Sequence, residues 1–181
     1  MKIVAFAGSL RKGSFNKSLL RAAKEDAPEG MEIEIFDLAA IPLFNADLEA
    51  EGDPERVTEF KEAIKKADGI LIATPEYNHG MTGVIKNAID WASRPAKDAP
   101  IAGKPAGILG ASPGRTGTVR SQEQLRQSLK SVNVHCMALP EFLLPRAREK
   151  FDEKGKLIDD STRNHLKKYM ESFAGWVEEL R

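Results

Sequence analysis

Two short uninterrupted apolar runs, Ile3–Ala7 and Gly69–Thr74, constrain this chain more than anything else in it. Gly8 closes the first and Pro75 the second, and neither alternates with polar positions. A strand without a polar face is buried on both sides, as in a parallel sheet covered by helices above and below. The stretches between these runs read as helices. Asn16 to Ala27 carries Leu19, Leu20, Ala22 and Ala23 on a helical repeat and stops at Pro28-Glu29-Gly30. Val57, Phe60, Ile64 and Ala67 mark a second helical face, with Pro54 at its start. Val84–Ala92, Gln122–Leu129 and Ser161–Leu180 follow, the last with Leu166, Tyr169, Met170, Phe173 and Val177 as its buried stripe.

Three further strands complete the pattern. In Met31–Phe36, apolar Met31, Ile33 and Ile35 alternate with Glu32 and Glu34, as expected at a sheet edge. Ala106–Gly110 and Val132–Leu139, the latter holding Cys136, are the other two. Asp37–Asp53 reads as a loop, and Lys150–Ile158 as a small solvated hairpin around Asp152-Glu153-Lys154-Gly155. The expectation is an α/β fold: a five-stranded parallel sheet between helical layers, in one domain over residues 1–181. Ligands of such folds bind beyond the carboxyl ends of the strands.

Charge and composition narrow the function. The 27 Lys and Arg balance 27 Asp and Glu, so a basic nucleic-acid-binding surface is not expected. One cysteine and three histidines leave no material for a disulfide framework or a Cys/His metal site. No apolar run reaches the roughly 18 residues of a membrane helix, and Ile3–Ala7 is too short for a signal-peptide core. A cytoplasmic location is expected, with no metal, no membrane and no nucleic acid.

Three loops at the carboxyl ends of strands carry the chemistry. The first, Gly8-Ser9-Leu10-Arg11-Lys12-Gly13-Ser14-Phe15-Asn16, opens a helix and combines small polar side chains, a fixed cation and free helix N–H groups. That is a cradle for a phosphate. Ser14-Phe15 stands where a nucleoside triphosphatase needs Lys-Ser/Thr, and Leu10 breaks the dinucleotide glycine pattern. A ligand with one terminal phosphate fits better. The second loop, Thr74-Pro75-Glu76-Tyr77-Asn78-His79-Gly80, offers backbone groups and an aromatic surface to a flat ring. Glu76 has no evident titratable partner and receives no general-base role, and His79 reads as a loop histidine. The third, Ala111 to Thr118, is again rich in glycine and small polar residues. One phosphate cradle and two beds for a planar heterocycle describe FMN.

The first loop, Pro75-Glu76-Tyr77-Asn78 and Lys86-Asn87-Ala88-Ile89-Asp90-Trp91 closely resemble the NAD(P)H-dependent FMN reductase family. The nearest likeness is to its quinone, chromate and azo-dye reductase branch. The resemblance implies a flavodoxin-like fold with strand order 2-1-3-4-5. It implies that Ser9, Arg11, Ser14, Phe15 and Asn16 hold the FMN phosphate by side chain or backbone. Pro75, Glu76, Tyr77 and Asn78 would line the isoalloxazine ring, with Ser112 closing the other side. NADPH or NADH would be the reductant, and quinones, azo compounds, chromate or free flavin the acceptors, in a two-stage exchange with no catalytic side chain. Homodimers or homotetramers are the rule in the family, and the apolar helix with Ile85, Ile89 and Trp91 is available either to an interface or to the sheet. Two positions depart from the pattern. His79 stands where Tyr or Ser is common, and Glu123 replaces an aromatic residue. Competing readings are a flavodoxin-type electron carrier, a supplier of reduced FMN to a monooxygenase, and a flavin-free regulator. A net charge of zero argues against the carrier, since such proteins are usually acidic.

Overall fold

The computed structural model describes residues 1–181, and side-chain alternation along its strands dictates the layering. The strands are β1 (Lys2–Ala7), β2 (Glu32–Ile35), β3 (Gly69–Ala73), β4 (Pro105–Ala111), β5 (His135–Cys136) and β6 (Phe142–Leu144). In β1, Ile3, Ala5 and Ala7 enter one apolar cluster, while Val4 and Phe6 enter another. In β3, Leu71 and Ala73 join the first cluster, and Ile70 and Ile72 the second. The sheet therefore lies between two cores. Helices α1 (Phe15–Glu25) and α6 (Asp160–Glu179) cover the first core, with Leu19, Leu166 and Phe173 fully buried. The second is covered by α3 (Glu55–Lys66), α4 (Gly83–Ala92) and α5 (Val119–Ser131).

The strand order is β2-β1-β3-β4-β5, and every pairing is parallel. The chain leaves β1 toward one side, returns, and continues from β3 toward the other. The loops after β1 and β3 diverge at this reversal and leave a crevice between them, which is where a parallel sheet binds ligands.

Three local expectations are corrected, and one that was open between two readings is decided. The strand expected over Val132–Leu139 shrinks to two residues, and a sixth strand, not expected from the sequence, follows it. Val132 and Asn133 end α5, only His135–Cys136 pairs with the start of β4, and β6 resumes the pairing opposite Leu109–Ala111. Pro140, which has no N–H for the ladder, lies in the gap. The loop at 37–53 contains a short helix, α2 (Ala46–Glu51), and the chain before it is strapped to α4. Asn87 Nδ2 and Trp91 Nε1 both donate to Pro42 O, at 2.8 and 2.9 Å, and Phe44 N donates to Asn87 Oδ1 at 2.7 Å. Ile85, Ile89 and Trp91 are all buried within the chain, the first two in the core under the sheet and Trp91 against Phe44 of the strap, so all three are closed to a partner. The turn at 150–158 makes a single bridge, Phe151 to Leu157, and both residues are buried, so it is docked on the core and not solvated all round.

Candidate cofactor-binding site

The β1 loop leaves its backbone donors uncommitted. Gly8 N makes the last ladder bond, to Ala73 O at 2.9 Å; from Ser9 through Asn16 no N–H donates to another backbone group. Ser14 caps α1, its Oγ accepting from Lys17 N at 3.3 Å, which leaves the N–H groups of Phe15 and Asn16 free at the positive end of the helix. Arg11 is exposed on the same loop. A run of unpaired N–H groups beside a fixed cation is an anion site. The loop is held down on α4 by Thr82, whose Oγ1 donates to Gly8 O at 2.8 Å. A Cβ at residue 8 would stand 2.4 Å from Ile85 Cδ1, so only glycine permits that approach.

Asn16 plays a second part. Its Nδ2 donates to Ala111 O and its Oδ1 accepts from Ala111 N, both at 2.9 Å, clasping the end of β4. With its side chain so engaged, Asn16 has only its backbone N–H to offer an anion.

The β3 loop has the opposite character. Tyr77 and Gly80 exchange backbone hydrogen bonds of 3.1 Å, with Asn78 at φ 52° and His79 at φ 62° between them. This is a two-residue hairpin with both central residues left-handed, a conformation asparagine tolerates well. Both ends of the hairpin are pinned to α5. The Glu76 carboxylate accepts from Arg120 N at 3.1 Å and Ser121 N at 3.4 Å, and pairs with Arg120 Nη1 at 3.2 Å. An acidic group at a helix N-terminus is favourable, and here it fixes the loop. Ser121 Oγ donates to Pro75 O at 2.8 Å, and Met81 N donates to Gln124 Oε1 at 2.8 Å. Glu76 thus has the partner that the sequence did not reveal, and its side chain faces α5 as a structural clamp. Tyr77 is half exposed, and His79 is exposed at the hairpin tip.

The β4 loop is tied to β6 by Ser112 N, which donates to Leu144 O at 2.9 Å, while Ser112 Oγ accepts from Gly114 N at 3.0 Å. Every residue expected to hold the cofactor except Asn78 lines one open cleft, joined by Ala111 and Pro113. Asn78 stands beyond its edge, in the turn that shapes it. No three His, Cys, Asp or Glu side chains converge anywhere to hold a metal ion. Burial pushes the Cys136 thiol up to about 11, so it stays protonated at neutral pH. The cleft supplies donors, one cation and a shaped rim, a donor set that fits a phosphate at the β1 end and a flat ring between Tyr77 and Ser112.

Residues 1–149 match the family model described as NADPH-dependent FMN reductase. The chain belongs to that family. It is 48% identical over 181 residues to an NAD(P)H-dependent FMN reductase of Pseudomonas aeruginosa, covering all of this chain and 97% of that one. It is 39% identical over 176 residues to a quinone reductase of Pseudomonas putida, covering 97% and 94% of the two chains. Among solved structures, the flavoenzyme NAD(P)H:(acceptor) oxidoreductase FerB of Paracoccus denitrificans superposes with a TM-score of 0.91 at 35% identity, covering 98% and 97%. The fold of this family member is flavodoxin-like.

The sequence pattern had missed Arg120, Ser121 and Gln124. Their role depends on contacts across more than forty residues of chain, and the only local signal was Glu76 itself, an acidic residue beside an expected helix start.

Proposed function

We propose that this chain is an FMN-dependent oxidoreductase that takes reducing equivalents from NADPH or NADH and delivers them to small acceptors of the quinone class. The observation that carries this reading is the β1 loop, whose uncommitted N–H groups and Arg11 share a cleft with Pro75, Tyr77 and Ser112. In it, Ser9, Arg11 and Ser14, with the backbone of Phe15 and Asn16, hold the phosphate. Pro75, Glu76 and Tyr77 line the ring through their backbone, Asn78 sets the hairpin, and Ser112 closes the opposite side. Bound FMN supplies the redox chemistry, accepting hydride and passing it on. The protein's part is to orient the ring, leave one face open, and place donors near developing negative charge. Nicotinamide and acceptor use that open face in turn, which requires no nucleophile or general base. Azo compounds, chromate and free flavin are further acceptors for the same open face, and reduced FMN is a product a monooxygenase would consume.

Residues 1–181 are read as one flavin-binding domain, acting in the cytoplasm as a homodimer or homotetramer. No helix is long and apolar enough to cross a membrane. Leu43 and Leu139, 81% and 77% exposed, are apolar side chains that a second copy would cover. Light scattering on the eluted protein checks the assembly.

The test is anaerobic mixing of FMN-loaded protein with NADPH or NADH while the yellow flavin absorbance is followed. Bleaching, reversed by added benzoquinone, is the expected result. Flavin that stays yellow with both nucleotides overturns the reductase reading in favour of an electron carrier.

A further inference from the structure

A second cleft adjoins the first and is larger, about 490 Å³. It runs between the start of α1 and the turn at 150–158. Lys12 stands on the β1 loop, Arg21 on α1, Arg148 on the short 3-10 turn Ala147–Glu149, and Lys154 on the opposing turn. Two carboxylates, Asp152 and Glu153, oppose these four cations. Asp152 is committed to its own turn, with Oδ1 accepting from Lys156 N at 2.8 Å. Nearby Lys150 pairs with Asp159 at 3.1 Å, but none of the four cleft cations forms an ion pair. Four cations against two carboxylates leave the cleft net positive, and an anion between the cations relieves their mutual repulsion.

The cleft is built, and it borders the cofactor cleft at Phe15. Phe15 and Phe151 stack with centroids 5.8 Å apart to form its floor, and Phe15 lines both clefts. Gly155, at φ 76°, lies so close to α1 that a Cβ there would be 2.6 Å from Ser18 Oγ and 2.8 Å from Arg21 Nη2. Arg21 is itself steadied by Ser18 at 2.9 Å. The segment carrying Arg148 is bonded to the far wall of the cofactor cleft: Arg146 N donates to Gly114 O at 2.9 Å and Ala147 N to Ser112 O at 3.0 Å. The two clefts thus meet at Phe15, and the segment carrying Arg148 is tied to the 112–114 loop that lines the first.

We propose that this cleft receives the adenosine end of NADPH and that Arg21 and Arg148 bind its 2′-phosphate. A dinucleotide with its nicotinamide over the ring position would reach this cleft by passing the β1 loop at Phe15, which lines both. Two guanidinium groups suit a dianionic phosphomonoester far better than a ribose diol. The inference rests on the reductase reading for the direction of the dinucleotide, whereas nucleotide binding itself is measured separately.

The experiment uses FMN-loaded protein, wild type and the exposed-site variants Arg148→Gln, Arg21→Gln and Lys154→Gln. Calorimetric titration with 2′,5′-ADP and with 5′-AMP is compared with steady-state KM for NADPH and NADH. The expected result is that 2′,5′-ADP binds at least about tenfold more tightly than 5′-AMP, and that Arg148→Gln weakens it about tenfold. KM for NADPH then rises by a similar factor at unchanged kcat, while KM for NADH moves less than about twofold. Equal changes for both nucleotides, tighter binding of 5′-AMP, or no change in any variant overturns the proposal. If 2′,5′-ADP binds through Arg148 but neither nucleotide bleaches the flavin, the reductase reading fails while this site stands.

Discussion

The loops after β1 and β3 border the same crevice, yet they are held in different ways. The β1 loop leaves its N–H groups from Ser9 to Asn16 open, and its shape is enforced from outside by Thr82 and by the Asn16–Ala111 clasp. The β3 loop closes on itself through the paired Tyr77–Gly80 hydrogen bonds and is then pinned to α5 through Glu76 and Gln124. One loop is a reservoir of donors for a charged ligand, the other a rigid edge for a flat one. Recognition of charge requires unsatisfied groups, while recognition of shape requires that nothing move.

The contrast is broken most severely at Asn16. Asn16→Leu leaves a buried N–H and a buried C=O of Ala111 without partners and should cost about 2–4 kcal/mol in urea unfolding. Flavin affinity should fall with it, because the β1 and β4 loops come apart. Arg11→Ala separates binding from stability. The exposed guanidinium has no partner to lose, so unfolding of the flavin-free protein should change by less than about 0.5 kcal/mol. FMN affinity should drop by about 10–100-fold, measured by fluorescence quenching, and a smaller loss would remove Arg11 from the phosphate site.

Glu76→Ala attacks the rigid edge. Two N–H groups of α5 and Arg120 lose their acceptor, for about 1–2 kcal/mol of stability, and the hairpin should gain faster amide exchange at Gly80 and Met81. At Asn78 the hairpin predicts a sign: Asn78→Gly should be neutral within about 0.5 kcal/mol, whereas Asn78→Val should cost about 1–2 kcal/mol.

A distant control sharpens all four. Asp159 caps α6, and hydrogen bonds from the Thr162 hydroxyl and N–H, with Lys150 beside them, depress its carboxyl from 3.8 to about 2. Because the folded value lies below the unfolded one, its contribution is complete above about pH 4 and disappears as pH falls toward 2. Asp159→Asn should therefore flatten the acid limb of the stability profile in that window and leave flavin binding unchanged.

Much of this was legible in the sequence, for reasons of distance along the chain. The apolar runs of β1 and β3 declare double-sided burial because every residue of a central strand meets a core. The β1 loop was legible because its chemistry is local: a strand end, small residues, a cation and a helix start lie in one continuous stretch. The Asn16 clasp was not, since its partner lies 95 residues away and a side-chain amide gives no sign of what it will meet. The same holds for Glu76, whose clamp lies 44 residues on. Helix α2 escaped notice because it buries no side chain and so has no apolar period. Strand β6 escaped notice because Phe142-Leu143-Leu144 is only three residues long and follows Pro140-Glu141, which reads as a turn.

Cys136 bears on the chemistry in a different sense. Quinones are electrophiles as well as electron acceptors, and they arylate thiolates. The chain's single sulfhydryl lies half-buried in β5, where burial holds it protonated at about 11. Only the deprotonated sulfur attacks such compounds readily. On the proposed reading, in which quinones are the acceptors, a sulfur kept protonated in this way resists arylation by the protein's own substrate.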